Sequence, residues 1–581
     1  MTNTIPGIHF NGIDAQVCLW APLCKRAAIR INDQTPLELE KADFGYWTLR
    51  GDFIKPGDSY KFVLDEESYP DVASLYQPNG VHEASQAVDL AAYKWADANW
   101  KNPPLEEYIV YELHTGTFTP AGNFEGIAGK LDYLADLGIN AIEIMPVAQF
   151  PGRRNWGYDG VFPYAVQNSY GGPEGLMKLV DACHRKGMAV ILDVVYNHIG
   201  PEGNYLTKHG PYFTGKYHTP WGNAVNFDDA CCDQVRHYFI QNALMWFRDF
   251  HIDALRLDAV HAIKDFSARH ILEALKENTP DGHYLIIESD LNDPRFINPV
   301  EKQGYGMDAQ WVDEFHHALR VTAGGGRDGY YSDFNGIADL AKSYNSAYVY
   351  DGIYSPHRLK TFGTKADDNP GSQFIVFSQN HDQVGNRMLG ERSSMLFSFE
   401  MQKLMAGAVM VSPFIPMLFM GEEWGAQQPF LYFVSHSDEE LVEAVRKGRK
   451  AEFAAFHADG EAPDPQAEET FNNSKLDWKQ TNPVMLSYYK TLFALRKKLP
   501  ALAVPDRKNS TATVNEAQQT LLLERRNKSQ TVYCLMNFSH RQHPIKATGK
   551  LLNSADKRWG GPGAANGFIQ PQSIIIYTDH V

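Results

Sequence analysis

Cysteine is scarce in this chain, and its placement disfavours two ways of stabilising a protein. Only 6 of the 581 residues are cysteine, none forms a C-x-x-C pair, and the adjacent Cys231 and Cys232 cannot easily bridge to each other. Neither a disulfide framework nor a zinc site is therefore expected. The opening stretch from Met1 to Pro6 lacks a basic region and an apolar core, so no signal peptide is predicted. We expect a cytoplasmic protein.

The chain also lacks an excess of positive charge and any long apolar run. Its 70 acidic residues outnumber its 54 lysines and arginines, so the formal net charge is −16. This balance argues against nucleic acid or an anionic membrane as a partner. No apolar run approaches the roughly 20 residues that a membrane-spanning helix needs. Aromatic residues are abundant instead, with 11 Trp and 29 Tyr, and such rings either fill a core or pack against the apolar faces of sugars.

The length predicts two or three domains, and the residue patterns change along the chain. Alternating apolar residues around 16–21 indicate half-buried strands near the N-terminus. Asn102-Pro103-Pro104 is typical of a linker, and the apolar run 531–538 indicates strands near the C-terminus. The predicted division is an all-β domain at 1–95, a linker at 96–106, a large α/β domain with loop insertions at 107–498 and a small β domain at 499–581.

Within residues 107–498, eight strand-like runs alternate with helical patterns, which predicts a parallel (β/α)8 TIM barrel. Residues 173–186 and 232–250 show the helical period most clearly. Residues 201–229 form a long connection, and we expect it on the top face of the barrel, where such loops are usually functional. The predicted strands are 109–113, 141–146, 188–195, 252–258, 284–288, 309–313, 374–377 and 416–420.

Carboxylates stand at the ends of several of these runs. Asp193, Asp258 and Glu288 end three successive strands, and Asp382 follows the seventh. The carboxyl ends of parallel barrel strands meet at one face, so these acids are expected to converge there. Cleaving an acetal with side chains alone requires one carboxylate as nucleophile and one carboxylic acid as proton donor. The pattern therefore predicts a glycoside-cleaving enzyme.

Four segments carry a resemblance to a known family. Asp193-Val194-Val195-Tyr196-Asn197-His198, Ala254-Leu255-Arg256-Leu257-Asp258, Ile287-Glu288-Ser289-Asp290 and Asn380-His381-Asp382 resemble, in order, the four conserved segments of the α-amylase superfamily, glycoside hydrolase family 13. Further stretches resemble its malto-oligosyltrehalose trehalohydrolase branch. Those stretches are 156–164, 315–319, 327–331, 420–424 and 463–478.

The resemblance implies roles for the three acids. Asp258 would be the nucleophile, Glu288 the general acid/base, and Asp382 the third carboxylate, which binds sugar hydroxyls and stabilises positive charge on the ring. Arg256 lies two residues before Asp258, so both side chains face the same side of a strand, and its charge keeps the nucleophile ionised. Taken alone, Arg256 and Asp258 could be a structural ion pair, and the other two acids could be solvated surface groups.

The resemblance also implies a set of substrate contacts. His198 and His381 would donate N–H groups to sugar hydroxyls, although a lone histidine is more often structural. Tyr158 and Trp221 are candidates for stacking on sugar rings, and Asp193 would be a supporting acid. Arg320 departs from the branch, where histidine is common at that position. The predicted substrate-binding residues are Tyr158, His198, Trp221, Arg256, His261, Asp313, His316, His317, His381, Gln383 and Asn386.

The same resemblance implies an N-terminal immunoglobulin-like β-sandwich, since Trp20-Ala21-Pro22 resembles the opening of the module that precedes the barrel in glycogen-acting relatives. That module would either contact glucan or only pack against the barrel. No cofactor is required by the family's chemistry. No metal site is expected either, since Asp228-Asp229 is more typical of a solvated pair than of a hand-type calcium loop.

The expected reaction is hydrolysis of the α-1,4-glucosidic bond next to the terminal trehalose of malto-oligosyltrehalose, with retention of configuration. Its partners would be malto-oligosyltrehalose and related α-glucan oligosaccharides, and no signal indicates an oligomeric state. Two alternatives are a 1,4-α-glucan branching enzyme, which uses the same three acids, and a non-catalytic glucan-binding protein. The stretch 470–478 favours the hydrolase. The presence of all three acids argues against the binding protein.

Overall fold

The computed structural model describes residues 4–455, 462–546 and 549–578, and its centre is a closed barrel of eight parallel strands. We number them barrel strands 1 to 8 in chain order, which is also their order around the barrel. The predicted (β/α)8 fold is confirmed. The strands are Val110–Leu113, Ala141–Ile144, Ala189–Val194, Ala254–Leu257, Tyr284–Ile287, Ala309–Trp311, Phe374–Phe377 and Ile415–Phe419.

The barrel interior is filled because alternate residues of each strand point inward. The lower layers combine small and large apolar side chains, such as Ala141 and Ala254 beside Ile191, Ile286 and Met417. The upper layer changes character, because the inward positions nearest the strand ends carry acids and an arginine. The inward-facing side chains are therefore apolar and closely packed in the lower part of the barrel and charged at the carboxyl ends of the strands.

Helices surround the barrel, and the helix Gly172–Arg185 shows how local sequence sets their ends. Pro173 lies in its first turn, where a missing N–H costs nothing. Leu176, Val180 and Cys183 are buried along one face, as the helical period requires. Gly187 follows with φ +72°, a left-handed conformation that ends the helix. The main helices are Leu131–Leu137, Gly172–Arg185, Cys232–Asp249, Ile271–Asn278, Asp313–Thr322, Ile337–Ser346, Phe399–Met410, Glu439–Ala455 and Pro483–Lys498.

Two connections differ from the simple alternating pattern. Between barrel strands 5 and 6 the chain forms only the short 3-10 turn Val300–Lys302, in a stretch that Pro299 and Gly304 make unsuitable for a longer helix. The predicted loop 201–229 contains a hairpin of two strands, Phe213–Thr219 and Gly222–Val225. The shorter helices are Thr115–Phe118, Phe124–Ala128, Leu206–His209, His381–Gly385, Ser393–Leu396, Glu468–Asn473 and Pro500–Ala503.

The N-terminal region folds as two antiparallel sheets packed face to face, which confirms the predicted β-sandwich. Val17 and Trp47 from one sheet and Ile29, Tyr60 and Phe62 from the other share one buried cluster. The first sheet contains Gly7–Asn11, Asp14–Trp20, Glu40–Lys41 and Tyr46–Gly51. The second contains Ala27–Ile31, Leu37–Glu38, Ser59–Leu64 and Glu67–Tyr69, with Ser85–Gln86 paired to Ser59–Leu64.

The predicted linker is packed against the barrel floor. The Trp100 ring stacks on His184, with ring centroids 4.4 Å apart, and its Nε1 donates to Asp253 Oδ1 at 2.7 Å. Asp253 directly precedes barrel strand 4. These contacts tie residues 96–106 to the barrel, while the exact domain boundaries at 95, 106 and 498 stay predictions.

The C-terminal region is a small antiparallel β domain, as predicted. Buried Arg525 joins it to the barrel, because its Nη1 donates to the carbonyls of Val411 and Ser412 at 2.7 and 2.5 Å. Within the parts of the chain that the structure describes, no helix has the length and apolar character needed to cross a bilayer. The main sheet contains Ser510–Asn515, Thr520–Arg526, Thr531–Asn537, Ser573–Thr578 and Lys550–Asn553, and His543–Pro544 pairs with Phe568–Ile569.

Candidate active site

A single guanidinium binds acids from three neighbouring barrel strands. Arg256 points inward from barrel strand 4 and is fully buried. Its Nη1 donates to Asp193 Oδ2 at 2.7 Å and to Asp258 Oδ1 at 3.1 Å, and its Nη2 donates to Glu288 Oε2 at 2.7 Å. Charge-assisted bonds from a planar guanidinium fix both distance and direction. The three acids at the ends of strands 3, 4 and 5 are therefore held as one unit.

Asp258 and Glu288 also accept hydrogen bonds from one neighbouring side chain and one backbone N–H. Asn197 Nδ2 donates to both the carbonyl oxygen and Oδ2 of Asp258, each at 2.7 Å. The Ala259 N–H donates to Glu288 Oε2 at 3.0 Å. Ala259 itself has φ +38°, a left-handed conformation that alanine adopts rarely and that occurs preferentially at functional sites. The Asn197 side chain and the Ala259 N–H thus orient the two acids for which the sequence predicts chemistry.

Asp193 lies below this pair and carries a shifted pKa. Burial raises the pKa of Asp193 to about 7, with a further contribution from the negative charge of Asp258, although Arg256 and Tyr158 oppose the shift. Tyr158 donates its hydroxyl proton to Asp193 Oδ2 at 2.6 Å. Asp193 therefore supports the site from beneath, in agreement with the supporting role that the sequence implies.

Asp382 stands in the first turn of a short helix whose start is capped. The Asn380 side chain accepts the N–H groups of Asp382 and Gln383 at 2.9 and 3.2 Å, forming a capping box with Gln383. Asn386 Nδ2 donates to Asp382 Oδ1 at 3.2 Å. His381 Nε2 lies 3.5 Å from the other oxygen, Oδ2. Both oxygens of Asp382 therefore have a polar neighbour that sets the orientation of the carboxylate.

Asp313 and Gln383 extend the site toward barrel strand 6. Gln383 Nε2 donates to Asp313 Oδ1 at 3.1 Å. Burial raises the pKa of Asp313 to about 7, and the negative charges of Glu288 and Asp382 act in the same direction. Asp313 is thus a group near the catalytic acids that changes charge around neutral pH.

Trp221 and His198 form a stacked pair. Trp221 occupies the tip of the hairpin, with 48% of its surface exposed, and its ring lies 4.3 Å from that of His198 with an interplanar angle of 2°. His198 Nε2 lies 3.0 Å from the Tyr158 carbonyl oxygen, and its Nδ1 contacts Asn197. Burial lowers the pKa of His198. The histidine thus supports Trp221, whose ring stays accessible for stacking.

Three of the predicted substrate-binding residues, His261, His316 and His317, have contacts with residues other than the catalytic acids. His316 is buried, with Nδ1 2.6 Å from the Ser378 carbonyl oxygen and Nε2 2.9 Å from the Tyr331 hydroxyl. His317 is nearly buried against tyrosine rings. His261 Nε2 lies 3.8 Å from Asp290 Oδ1. Their predicted role in substrate binding stays a prediction.

Sequence reasoning overlooked Glu112 and Glu143, which point inward from barrel strands 1 and 2. Glu112 Oε2 accepts the His381 N–H at 3.1 Å, and Oε1 accepts the His381 ring N–H. Neither oxygen of Glu143 has a hydrogen-bond partner among the residues that the structure describes. The available signal was a glutamate inside an otherwise apolar strand run, Val110-Tyr111-Glu112-Leu113 and Ala141-Ile142-Glu143-Ile144.

No group of three or more His, Cys, Asp or Glu side chains with metal-binding geometry occurs among the described residues.

Comparison with known proteins places this geometry in a family. The model of the α-amylase catalytic domain matches residues 89–220. Malto-oligosyltrehalose trehalohydrolase of Saccharolobus solfataricus is 51% identical, with 85% of each chain covered, and that of Arthrobacter ramosus is 43% identical, with 83% of this chain and 87% of the relative covered. The crystal structure of a candidate α-amylase from Salmonella typhimurium superposes with a TM-score of 0.91 at 36% identity, covering 99% of both chains.

The rival family is more distant. The branching enzyme GlgB of Pseudoalteromonas atlantica is 23% identical over 91% of this chain and 73% of its own. An identity of 51% over 85% of both chains, together with a closed barrel that carries the acids at its strand ends, is decisive for the assignment: the chain belongs to the malto-oligosyltrehalose trehalohydrolase family of the α-amylase superfamily.

Proposed function

We propose that the chain hydrolyses the α-1,4-glucosidic bond next to the terminal trehalose of malto-oligosyltrehalose, releasing trehalose and a shortened malto-oligosaccharide. The observation that carries the proposal is the Arg256 guanidinium, which binds Asp193, Asp258 and Glu288 at the top of the barrel. A site that cleaves an acetal without other groups needs a nucleophilic carboxylate and a proton donor close together. Asp258 and Glu288 supply both.

In the first step, an oxygen of Asp258 attacks the anomeric carbon of the glucose that precedes the trehalose unit. The bond from that carbon to the glycosidic oxygen breaks, and Glu288 donates its proton to this oxygen, so trehalose leaves with a free hydroxyl. In the second step, Glu288 takes a proton from water, and the water oxygen attacks the same carbon and displaces Asp258. The glycosyl ester is thereby hydrolysed and both acids return to their first states.

Support for direct attack comes from the spacing of the acids. Asp258 and Glu288 bind the two terminal nitrogens of one guanidinium, so the two carboxyls lie close to each other. Retaining enzymes place these groups roughly 5–5.5 Å apart, whereas inverting enzymes leave a wider gap for water. The closeness of the two carboxyls is compatible with direct attack, and the retaining mechanism itself is proposed from the membership of the chain in the α-amylase superfamily.

Asp382 is assigned the third role. It lies on the helix His381–Gly385, across the top face from Asp258, and its side chain is about one-third exposed. A carboxylate in that position binds ring hydroxyls and stabilises the positive charge that develops on the sugar. Trp221, with its accessible ring, is proposed to stack on a neighbouring glucose unit.

The test is product analysis on two substrates of equal length. Malto-oligosyltrehalose should yield trehalose as the main disaccharide, and plain malto-oligosaccharide should be cleaved far more slowly. A matched sample of the Asp258→Asn variant controls for contaminating activity. Formation of branched glucan would decide for the transferase instead.

The anomer of the product tests the mechanism separately. Proton NMR during the first turnovers should show the new reducing end of the shortened oligosaccharide as the α-anomer. An initial β-anomer would contradict double displacement while leaving the substrate assignment intact.

We also propose that the enzyme works in the cytoplasm, which the scattered cysteines of the sequence support.

A further inference from the structure

The inner layer directly below the catalytic acids contains two glutamates, where barrels normally carry branched apolar residues. Glu112 and Glu143 are register neighbours on barrel strands 1 and 2, and each is about 1% exposed. Burying a carboxyl group is costly unless the group is paired or neutral. The two residues meet this requirement in different ways.

Glu112 is paired, and both of its oxygens bind one residue. Oε2 accepts the backbone N–H of His381 at 3.1 Å, and Oε1 accepts the Nδ1–H of its ring. The backbone bond fixes the start of the helix His381–Gly385, and the ring bond fixes the rotamer of the imidazole. One side chain therefore sets both the position and the orientation of His381.

The second ring nitrogen of His381 faces the catalytic centre. Nε2 lies 2.9 Å from the Tyr158 hydroxyl oxygen and 3.5 Å from Asp382 Oδ2. Tyr158 donates its only hydroxyl proton to Asp193, so toward His381 it accepts. Both ring nitrogens of His381 thus face acceptors, which is the pattern of a doubly protonated imidazolium.

We propose that Glu112 is a positioning residue for the reaction. It holds His381 as a cation, and the Nε2–H of that cation orients the Asp382 carboxylate and places a positive charge beside it. The proposal deepens the proposed function and rests on the assigned role of Asp382. Glu112 does not reach the substrate, and it acts through His381.

The charges around His381 agree with this arrangement. Burial alone would favour the neutral ring, but the carboxylates of Asp382 and Glu112 raise the pKa of His381 to about 10 against that effect and against the charge of Arg256. Removing Glu112 leaves Asp382 to oppose both burial and Arg256. The other titratable groups that face the ring are His114, Glu143, Tyr158 and Asp193.

Glu143 provides the contrast. Burial raises its pKa well above the ordinary range, and the negative charges of Glu112 and Asp193 add to the shift. Burial therefore favours the neutral carboxylic acid form of Glu143, which glutamine resembles in shape and charge. Glu143→Gln changes a buried glutamate of the same layer without removing a charge, so it is the matched control for Glu112→Gln.

The test compares Glu112→Gln, Glu143→Gln and Glu112→Asp in the full chain, with malto-oligosyltrehalose as substrate. In Glu112→Gln the amide NH2 faces Nδ1, which favours a neutral ring with a lone pair there. We expect kcat to fall about 10²-fold, with KM within threefold. Glu143→Gln should stay within threefold of the parent in kcat, and Glu112→Asp should recover part of the loss because it restores the charge.

The pH profile separates positioning from mere stability. Since the neighbouring carboxylates raise the pKa of His381 to about 10, we expect the ring to stay charged in the parent across pH 6 to 9. In Glu112→Gln its pKa falls, so the deficit in kcat should grow as pH rises and shrink toward pH 5 to 6. NMR of histidine labelled with ¹⁵N, with the signal assigned by its loss in His381→Asn, should show the ring titrating in the variant and not in the parent over this range.

Three outcomes would overturn the proposal. These are a Glu112→Gln variant within threefold of the parent in kcat, an equal loss in Glu143→Gln, or a deficit that does not change with pH. A failure of the proposed function would look different, because the parent itself would then release no trehalose from malto-oligosyltrehalose.

Discussion

Replacing Arg256 with lysine should separate the charge of this residue from its geometry. The guanidinium uses Nη1 for Asp193 and Asp258 and Nη2 for Glu288, and its Cζ lies 4.3 Å from the centre of the Trp311 ring. Lysine keeps the positive charge but offers one nitrogen on a flexible stem, without a planar fork and without stacking. A single ammonium nitrogen cannot occupy the positions of both Nη1 and Nη2, so the bonds that depend on one of these positions are lost or lengthened.

The size of the loss follows from the bonds that disappear. A hydrogen bond to a charged group contributes about 1.5–3 kcal/mol, and at least one of the three must be lost. Since about 1.4 kcal/mol corresponds to a tenfold change, losing one bond to Asp258 or Glu288 predicts a fall in kcat/KM of roughly 10- to 100-fold. Breaking a buried ion pair also destabilises the fold, by about 3–5 kcal/mol when one partner is left unpaired.

The assay measures kcat/KM for trehalose release beside the urea midpoint of unfolding. Arg392→Lys is the control, because Arg392 is equally buried but donates to the carbonyls of Gln428 and Met420 rather than to acids. We expect both variants to lose stability and only Arg256→Lys to lose activity at a temperature where both are folded. Equal activity losses in the two variants, or an Arg256→Lys variant within threefold of the parent, would refute the reasoning.

Three other substitutions test single residues. Asp258→Asn should lower kcat by about 10⁴-fold or more with little change in the fold, since the residue acts within a catalytic unit; activity within tenfold of the parent would remove it from the role of nucleophile. Asp313→Asn should match the parent below about pH 6, where a carboxyl with a pKa of about 7 is protonated, and differ from it above pH 8, as a pH–rate profile would show. Trp221→Ala should raise KM more than it lowers kcat, because a half-exposed ring contributes to binding, and an unchanged KM would exclude stacking.

Much of the fold follows from the sequence because its signals are local. Apolar runs such as Phe374–Phe377, separated by segments of helical period, specify parallel strands, and eight of them specify a barrel. Asp258 and Glu288 could be predicted as neighbours for the same reason, since the ends of adjacent parallel strands meet at one face. Arg256 shares a face with Asp258 through the two-residue strand period.

The remaining part of the site depends on contacts between residues that are far apart in sequence. Glu112 reaches His381 across 269 positions, and Trp221 reaches His198 only because a hairpin folds back over the top face. No local period encodes such pairs, because they depend on how the barrel closes and how its loops pack. The sequence by itself therefore determined the barrel and the reacting acids, while the tertiary structure decided which buried charges surround them, since burial and the sum of neighbouring charges exist only in the closed fold.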